Sequence, residues 1–151
     1  LSLVGSEMCI RDRIRPLLKV ASGGELSRVA LAIKTVLLNA SGVPTMVFDE
    51  IDTGVGGVTA QKMAEKIAVI AKVGQVLCIT HLPQIASFAD RHLLIRKEST
   101  GGRTSTGLTV LDEEGRIQEL MRMTVGDNVS EVAYANAKEL LAAAAKNKQA
   151  R

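Results

Sequence analysis

Two short apolar runs constrain this chain most: "VPTMVF" at 43–48 and "QVLCIT" at 75–80. Ser41 and Gly42 precede the first run and Gly74 precedes the second. Asp49 and Glu50 follow the first, and His81 follows the second. Continuous short apolar runs with such borders suit parallel strands buried on both faces better than half-exposed ones. Between them, "VTAQKMAEKIAVIAK" at 58–72 has helical spacing, with Met63, Ile67, Ile70 and Ala71 inward. A helix over 25–40 precedes them, with Leu26, Val29, Ala30, Ile33 and Leu37 on one face. After them the pattern predicts a short helix over 83–89, opened by Pro83, and a strand at 92–97. "ESTGGRTSTG" at 98–107 reads as a polar loop. Residues 108–117 read as a strand, a turn and the start of a helix. A last Ala-rich helix is expected over 130–145, followed by a fraying basic tail. The fold class is α/β, a mostly parallel sheet flanked by helices, with its functional edge at the carboxyl ends of the strands.

The chain has 151 residues, which suits one domain or one lobe of a larger one. A net charge of +3 permits an anionic partner without arguing for one. Phe48, Phe88 and Tyr134 are the only aromatic residues, too few for base-stacking platforms. Cys9 and Cys78 lie in unlike settings and suggest no disulfide framework, so a reducing cytosol is expected. No apolar run approaches membrane-spanning length, and no membrane partner is expected. Residues 1–13, "LSLVGSEMCIRDR", lack a start Met and a period. Glu7 to Asp12 back-translate as GAG ATG TGT ATA AGA GAC, which resembles a sequencing-adapter end. We therefore read 1–13 as non-native and 14–151 as the native segment, whose own N-terminal part is expected to be missing.

Three motifs fall at the expected edge. "VFDEIDTG" delivers Asp49 and Glu50 to a strand end, where one carboxylate can hold Mg²⁺ through water and the next can orient or deprotonate a water. The plain alternative is a solvated strand end. "CITHLPQ" places His81 after the second run, able to face a phosphate or to serve as a capping or core histidine. "SGGE", Ser22 to Glu25, opens the first helix. A hydroxyl, two bare backbones and a helix N-terminus suit an anion, and equally suit a simple N-cap. The chain contains no GxxxxGK[ST] loop, no HExxH, no CxxC and no GxSxG elbow.

Taken in order, "ASGGELSRVALAIK", "VFDEIDTGVGG" and "ITHLPQIASFADRHLLIRK" resemble the C-terminal lobe of an ABC-type P-loop ATPase head, of the SMC-like branch active in bacterial DNA repair. The resemblance runs from about Arg15 to the final helix, and fits "MRMTVGDNVSEVAYANAKELL" only loosely. It implies ATP and Mg²⁺ as cofactors, with Asp49 as the Walker B aspartate on Mg²⁺ and Glu50 as the catalytic base. Asp52 becomes a D-loop residue coupling two active sites, and His81 the switch histidine at the γ-phosphate. Ser22, Gly23, Gly24 and Glu25 become a signature motif contacting ATP on the opposite head. The implied partners are a second head in a homodimer, a missing N-terminal lobe with its coiled coil, and DNA bound by the complete protein. The implied setting is the bacterial cytoplasm and nucleoid, in the SOS response and recombinational repair of double-strand breaks. Without Walker A, this chain alone is expected to be inactive. A transporter ATPase, another SMC-like head, and a non-enzymatic dimerisation or DNA-bridging module are the alternatives.

Overall fold

A computed structural model describes residues 21–37, 44–100, 103–126 and 130–150. The expected non-native segment 1–13 lies outside the described residues. Helix α1, Gly23–Val36, begins at a capping box: Ser22 caps the Glu25 N–H, and the Glu25 carboxylate returns to the Ser22 N–H. Strand β1, Thr45–Phe48, leads through a turn to helix α2, Gly57–Ile70. Strand β2, Gln75–Cys78, follows. It pairs with β1 in parallel, from Thr45 opposite Gln75 to Phe48 opposite Cys78. The Ile79 N–H donates to the Phe48 carbonyl at 2.9 Å and carries the contact one step past the ladder. Both strand ends therefore open on the same edge. Helix α3 is a single turn, Pro83–Ala86.

Strand β3, Leu93–Thr100, pairs antiparallel with β4, Arg103–Val110, and not with the parallel pair. The polar stretch expected as a loop is thus mostly strand. Gly101-Gly102 is a two-residue hairpin signal, and Thr104, Thr106 and Thr109 are β-branched, which favours strand over coil. Helix α4, Glu113–Val125, starts at Asp112, whose Oδ1 accepts the Gly115 N–H at 2.8 Å. It stops before Gly126, whose φ of 68° lies in the left-handed region that glycine tolerates. Helix α5, Glu131–Gln149, runs past the expected boundary. Asn147 Nδ2 donates to Glu65 Oε1 at 3.1 Å and Lys148 pairs with Asp90 at 2.7 Å, so the basic tail is tied down as helix.

Two aliphatic clusters hold these elements. Leu31, Phe48, Ile51, Met63, Ile70, Ile85 and Phe88 pack between α1, the parallel pair, α2 and α3. Ile117, Leu120, Met121, Ala133 and Ala137 join α4 to α5. The burial expected of the two strands fails on one face. Val47, Leu77 and Ile79 are 63%, 44% and 56% exposed, so one face of β1–β2 is bare. On α1, Leu31 and Gly24 are buried, whereas Val29, Ala30, Ile33 and Leu37 are exposed. The apolar stripe of α1 therefore points away from this chain's core. A sequence pattern reports that a face is apolar, not which body covers it.

Candidate functional site

The edge is built by the turns that follow β1 and β2. Phe48 is buried and ends β1, so Asp49 and Glu50 emerge together into solvent. Glu50 takes a φ of 56°, uncommon for a residue with a Cβ, and such strain concentrates at functional sites. The Thr53 N–H donates to the Glu50 carbonyl at 3.1 Å, and the Val55 N–H to the Asp52 carbonyl at 3.2 Å. Ile51, between the acids, is fully buried and pins the turn to the core.

Helix α1 clamps this turn from the other side. Ser27 Oγ donates to the Asp49 carbonyl at 2.9 Å. Arg28 Nη1 donates to the carbonyls of Ile51 at 3.2 Å and Thr53 at 2.9 Å. Gly24 sits so close that a Cβ there would lie 2.6 Å from the Glu50 carbonyl oxygen. A Cβ on Gly23 would lie 2.8 Å from Glu50 Oε2, so the Glu50 carboxylate stands against the helix start. Sequence reasoning missed Ser27 and Arg28. Their one available signal is helical spacing: Arg28 lies one turn beyond Gly24, on the side away from the apolar stripe.

"SGGE" is, first of all, a well-made N-cap. The Ser22 N–H and Oγ donate to Glu25 Oε2 at 2.7 and 2.9 Å, and these bonds hold the Glu25 carboxyl below its ordinary range. The cap occupies the Ser22 and Glu25 N–H groups and leaves those of Gly23 and Gly24 without a hydrogen-bond acceptor among the described residues. Glu25 therefore serves the cap, and any anion at this turn meets the two glycines.

His81 follows β2 with a side chain 71% exposed. Asp52, by contrast, is 2% exposed and faces its own chain. Its Oδ2 accepts from Thr80 Oγ1 at 2.6 Å and from the His81 N–H at 2.8 Å, and lies 3.0 Å from His81 Nδ1. Burial opposes ionisation of Asp52, but the bonds from Thr80 and the His81 N–H outweigh it and hold the carboxyl below its ordinary range. Cys78, at the end of β2, is pushed up to about 11 by burial and then by the Asp52 and Asp49 charges, so it is no nucleophile.

The structure thus brings Asp49, Glu50, Asp52 and His81 to one edge, with Ser22–Glu25 beside Glu50. Among the described residues no cluster of three or more His, Cys, Asp or Glu could by itself hold a metal ion. Two exposed adjacent carboxylates still fit Mg²⁺, which is bound through one or two carboxylates with waters and phosphates completing the shell. No helix among the described residues is long and apolar enough to cross a membrane.

No protein-family model matches the chain. Curated relatives do. The DNA repair protein RecN of Halalkalibacterium halodurans is 50% identical over 130 residues, covering 86% of this chain and 23% of the relative. That of Treponema pallidum is 50% identical over 135 residues, covering 89% and 24%. That of Bacillus subtilis is 49% identical over 130 residues, covering 86% and 23%. This chain therefore spans less than a quarter of the length of these relatives. A structure solved in work on ATP-driven dimerization and DNA-stimulated activation of SMC ATPases aligns with a TM-score of 0.50 at 24% identity, covering 70% of this chain and 63% of its own. That likeness establishes a shared α/β fold. With identity near one half over most of its length, the chain is homologous to the C-terminal part of the RecN DNA repair proteins.

Proposed function

We propose that this chain is the C-terminal lobe of the ATPase head of a RecN-like protein, with residues 14–151 as the native part. In the complete protein ATP joins two heads, hydrolysis releases them, and the cycle serves recombinational repair of DNA breaks in the bacterial cytoplasm. The observation that carries this reading is the shared edge: Asp49, Glu50 and His81 leave adjacent parallel strands side by side. The bare faces of β1–β2 and α1 suit a preceding lobe, and the relatives have the length to supply one.

ATP with Mg²⁺ supplies the phosphoanhydride to be cleaved and the charge that neutralises its oxygens. Asp49 is the residue that would hold the ion. The Glu50 carboxylate orients a water and takes its proton, the task of a general base. His81 presents its ring to the terminal phosphate. Gly23 and Gly24 offer N–H groups at a helix start, worth roughly 0.3–2 kcal/mol toward an anion, too little to hold a nucleotide alone. The Glu50 carboxylate stands against Gly23, where a Cβ would lie 2.8 Å from Oε2, so a phosphate entering from this chain's own side would have to displace it. That arrangement favours a phosphate approaching from outside the chain, as a nucleotide carried by the second head would.

Glu50→Gln in the complete protein tests the assignment. It keeps size and removes the base, so hydrolysis slows by about 10²–10⁴. ATP binding persists and ATP-bound head dimers live longer. Near-normal turnover contradicts the role of Glu50.

A further inference from the structure

The proposed chemistry uses Asp49, Glu50 and His81 and leaves the buried carboxylate of this edge without a task. Asp52 is nearly sealed from solvent, and a single oxygen, Oδ2, takes three contacts from the neighbouring strand end: Thr80 Oγ1 at 2.6 Å, the His81 N–H at 2.8 Å and His81 Nδ1 at 3.0 Å. Thr80 Oγ1 in turn accepts the Leu82 N–H at 3.0 Å. The segment from Thr80 to Leu82 therefore hangs from Asp52, and the turn after β1 is tied to the turn after β2. A buried carboxylate is stable where it is hydrogen-bonded, and here Oδ2 is engaged by Thr80 and by His81, the residue that needs placing. The His81 side chain is 71% exposed, and free on its own bonds it would sample several rotamers. With Nδ1 against Asp52, Nε2 is the ring nitrogen that remains for another partner.

We propose that Asp52 is the positioning residue for His81, fixing its backbone and ring from within the same chain so that Nε2 remains for another partner. Reaching a second head would require Asp52 to leave all three contacts. The inference rests on the role proposed for His81 at the terminal phosphate, and it adds how that histidine is held. The hydrogen bond that one imidazole nitrogen makes sets which nitrogen carries the proton. Asp52 accordingly selects the tautomer protonated at Nδ1 and leaves Nε2 bare.

The test uses the full-length protein, with Asp52→Ala, Asp52→Asn, Thr80→Val, His81→Ala and the Asp52→Ala/His81→Ala pair. Partners behind a functional histidine typically change activity by about 10–100-fold, and Asp52→Ala should lower kcat by that much with little change in KM. Because Asp52 acts through His81, adding Asp52→Ala to His81→Ala should cost less than about 2-fold more. A second readout needs no nucleotide: ¹⁵N-histidine labelling reports the tautomer of His81 at a pH where it is neutral. Asp52→Ala should move its nitrogen shifts toward a mixed population. Asp52→Asn, which keeps the shape, and Thr80→Val, which keeps the carboxylate, maintain the test if Asp52→Ala does not fold; the first should shift the tautomer and the second should leave it. Additive losses in the double variant, or unchanged nitrogen shifts in Asp52→Ala and Asp52→Asn, overturn the proposal. If His81→Ala retains full turnover, the phosphate role of His81 falls, and the nitrogen shifts alone decide whether Asp52 anchors it.

Discussion

Gly23 and Gly24 are neighbours in sequence and should respond oppositely to the same substitution. Gly24→Ala puts a Cβ 2.6 Å from the Glu50 carbonyl oxygen and 3.2 Å from both Arg28 Nη1 and Thr53 Cβ. The first of these is a backbone atom in a turn pinned by Ile51 and cannot rotate away. Overpacking costs roughly 1–3 kcal/mol, and the pinned backbone argues for the upper half of that range. Replacing a helical glycine by alanine returns about 1 kcal/mol, which leaves a net loss of roughly 1–2 kcal/mol. For a domain of this size that lowers the thermal midpoint by about 2–8 °C. Gly23→Ala meets only Glu50 Oε2 at 2.8 Å, the far end of a flexible side chain that can swing aside. Gly23→Ala should therefore be neutral, or stabilising by up to about 1 kcal/mol. Thermal unfolding of the two variants, followed by circular dichroism, decides the matter. Equal midpoints, or a Gly24→Ala variant more stable than the parent, would refute the close packing of α1 on the Glu50 turn.

Deleting residues 1–13 should leave the thermal midpoint unchanged, and a clear drop would show that they belong to the fold. Cys78, raised from an ordinary value of 9.0 to about 11, should alkylate about 100-fold more slowly than a free thiol near neutral pH, as peptide mass spectrometry can follow; rapid labelling would show that β2 opens. Burial, then the Arg116 charge, depresses His92 below its ordinary 6.5. Its contribution to stability is therefore full above that value and is lost as pH falls through the lower folded one, so His92→Gln should flatten the fall in stability below about pH 6.5. An unchanged pH profile would remove His92 from that account.

The parallel pair and its edge were legible because each strand is a continuous apolar run that stops at a polar residue. Asp49, Glu50 and His81 follow from that alone, since the residue after a strand end must emerge at the edge. The fate of Asp52 does not follow: "DEIDTG" holds three acids, and only the turn geometry sends one of them inward. Helix α1 is legible as an amphipathic helix, but the shared face of Val29, Ile33 and Leu37 carries no sign of what covers it, and in the structure it points away from this chain's core. Val47, Leu77 and Ile79 mislead for the same reason. The β3–β4 hairpin was hidden by composition: its serines, threonines and glycines read as coil, whereas the register pairs the polar ends of the two strands with each other and sets Leu93, Leu94 and Ile95 across from Val110, Thr109 and Leu108. The clamp formed by Ser27 and Arg28 left almost no trace in sequence, because its acceptors are backbone carbonyls of Asp49, Ile51 and Thr53 rather than matching side chains.

The central claim is that the turn at Ser22–Gly24 and the edge at Asp49, Glu50 and His81 serve two different nucleotides. ATP binding to the monomeric head carrying Ser22→Arg, measured by calorimetry in the complete protein, tests it most directly. The account predicts that the first ATP binds with an affinity close to that of the parent while ATP-driven pairing of heads fails, because the arginine fills the space the glycines keep open at the surface. A large loss of ATP affinity in the monomer would place Ser22 at its own chain's nucleotide and contradict the account.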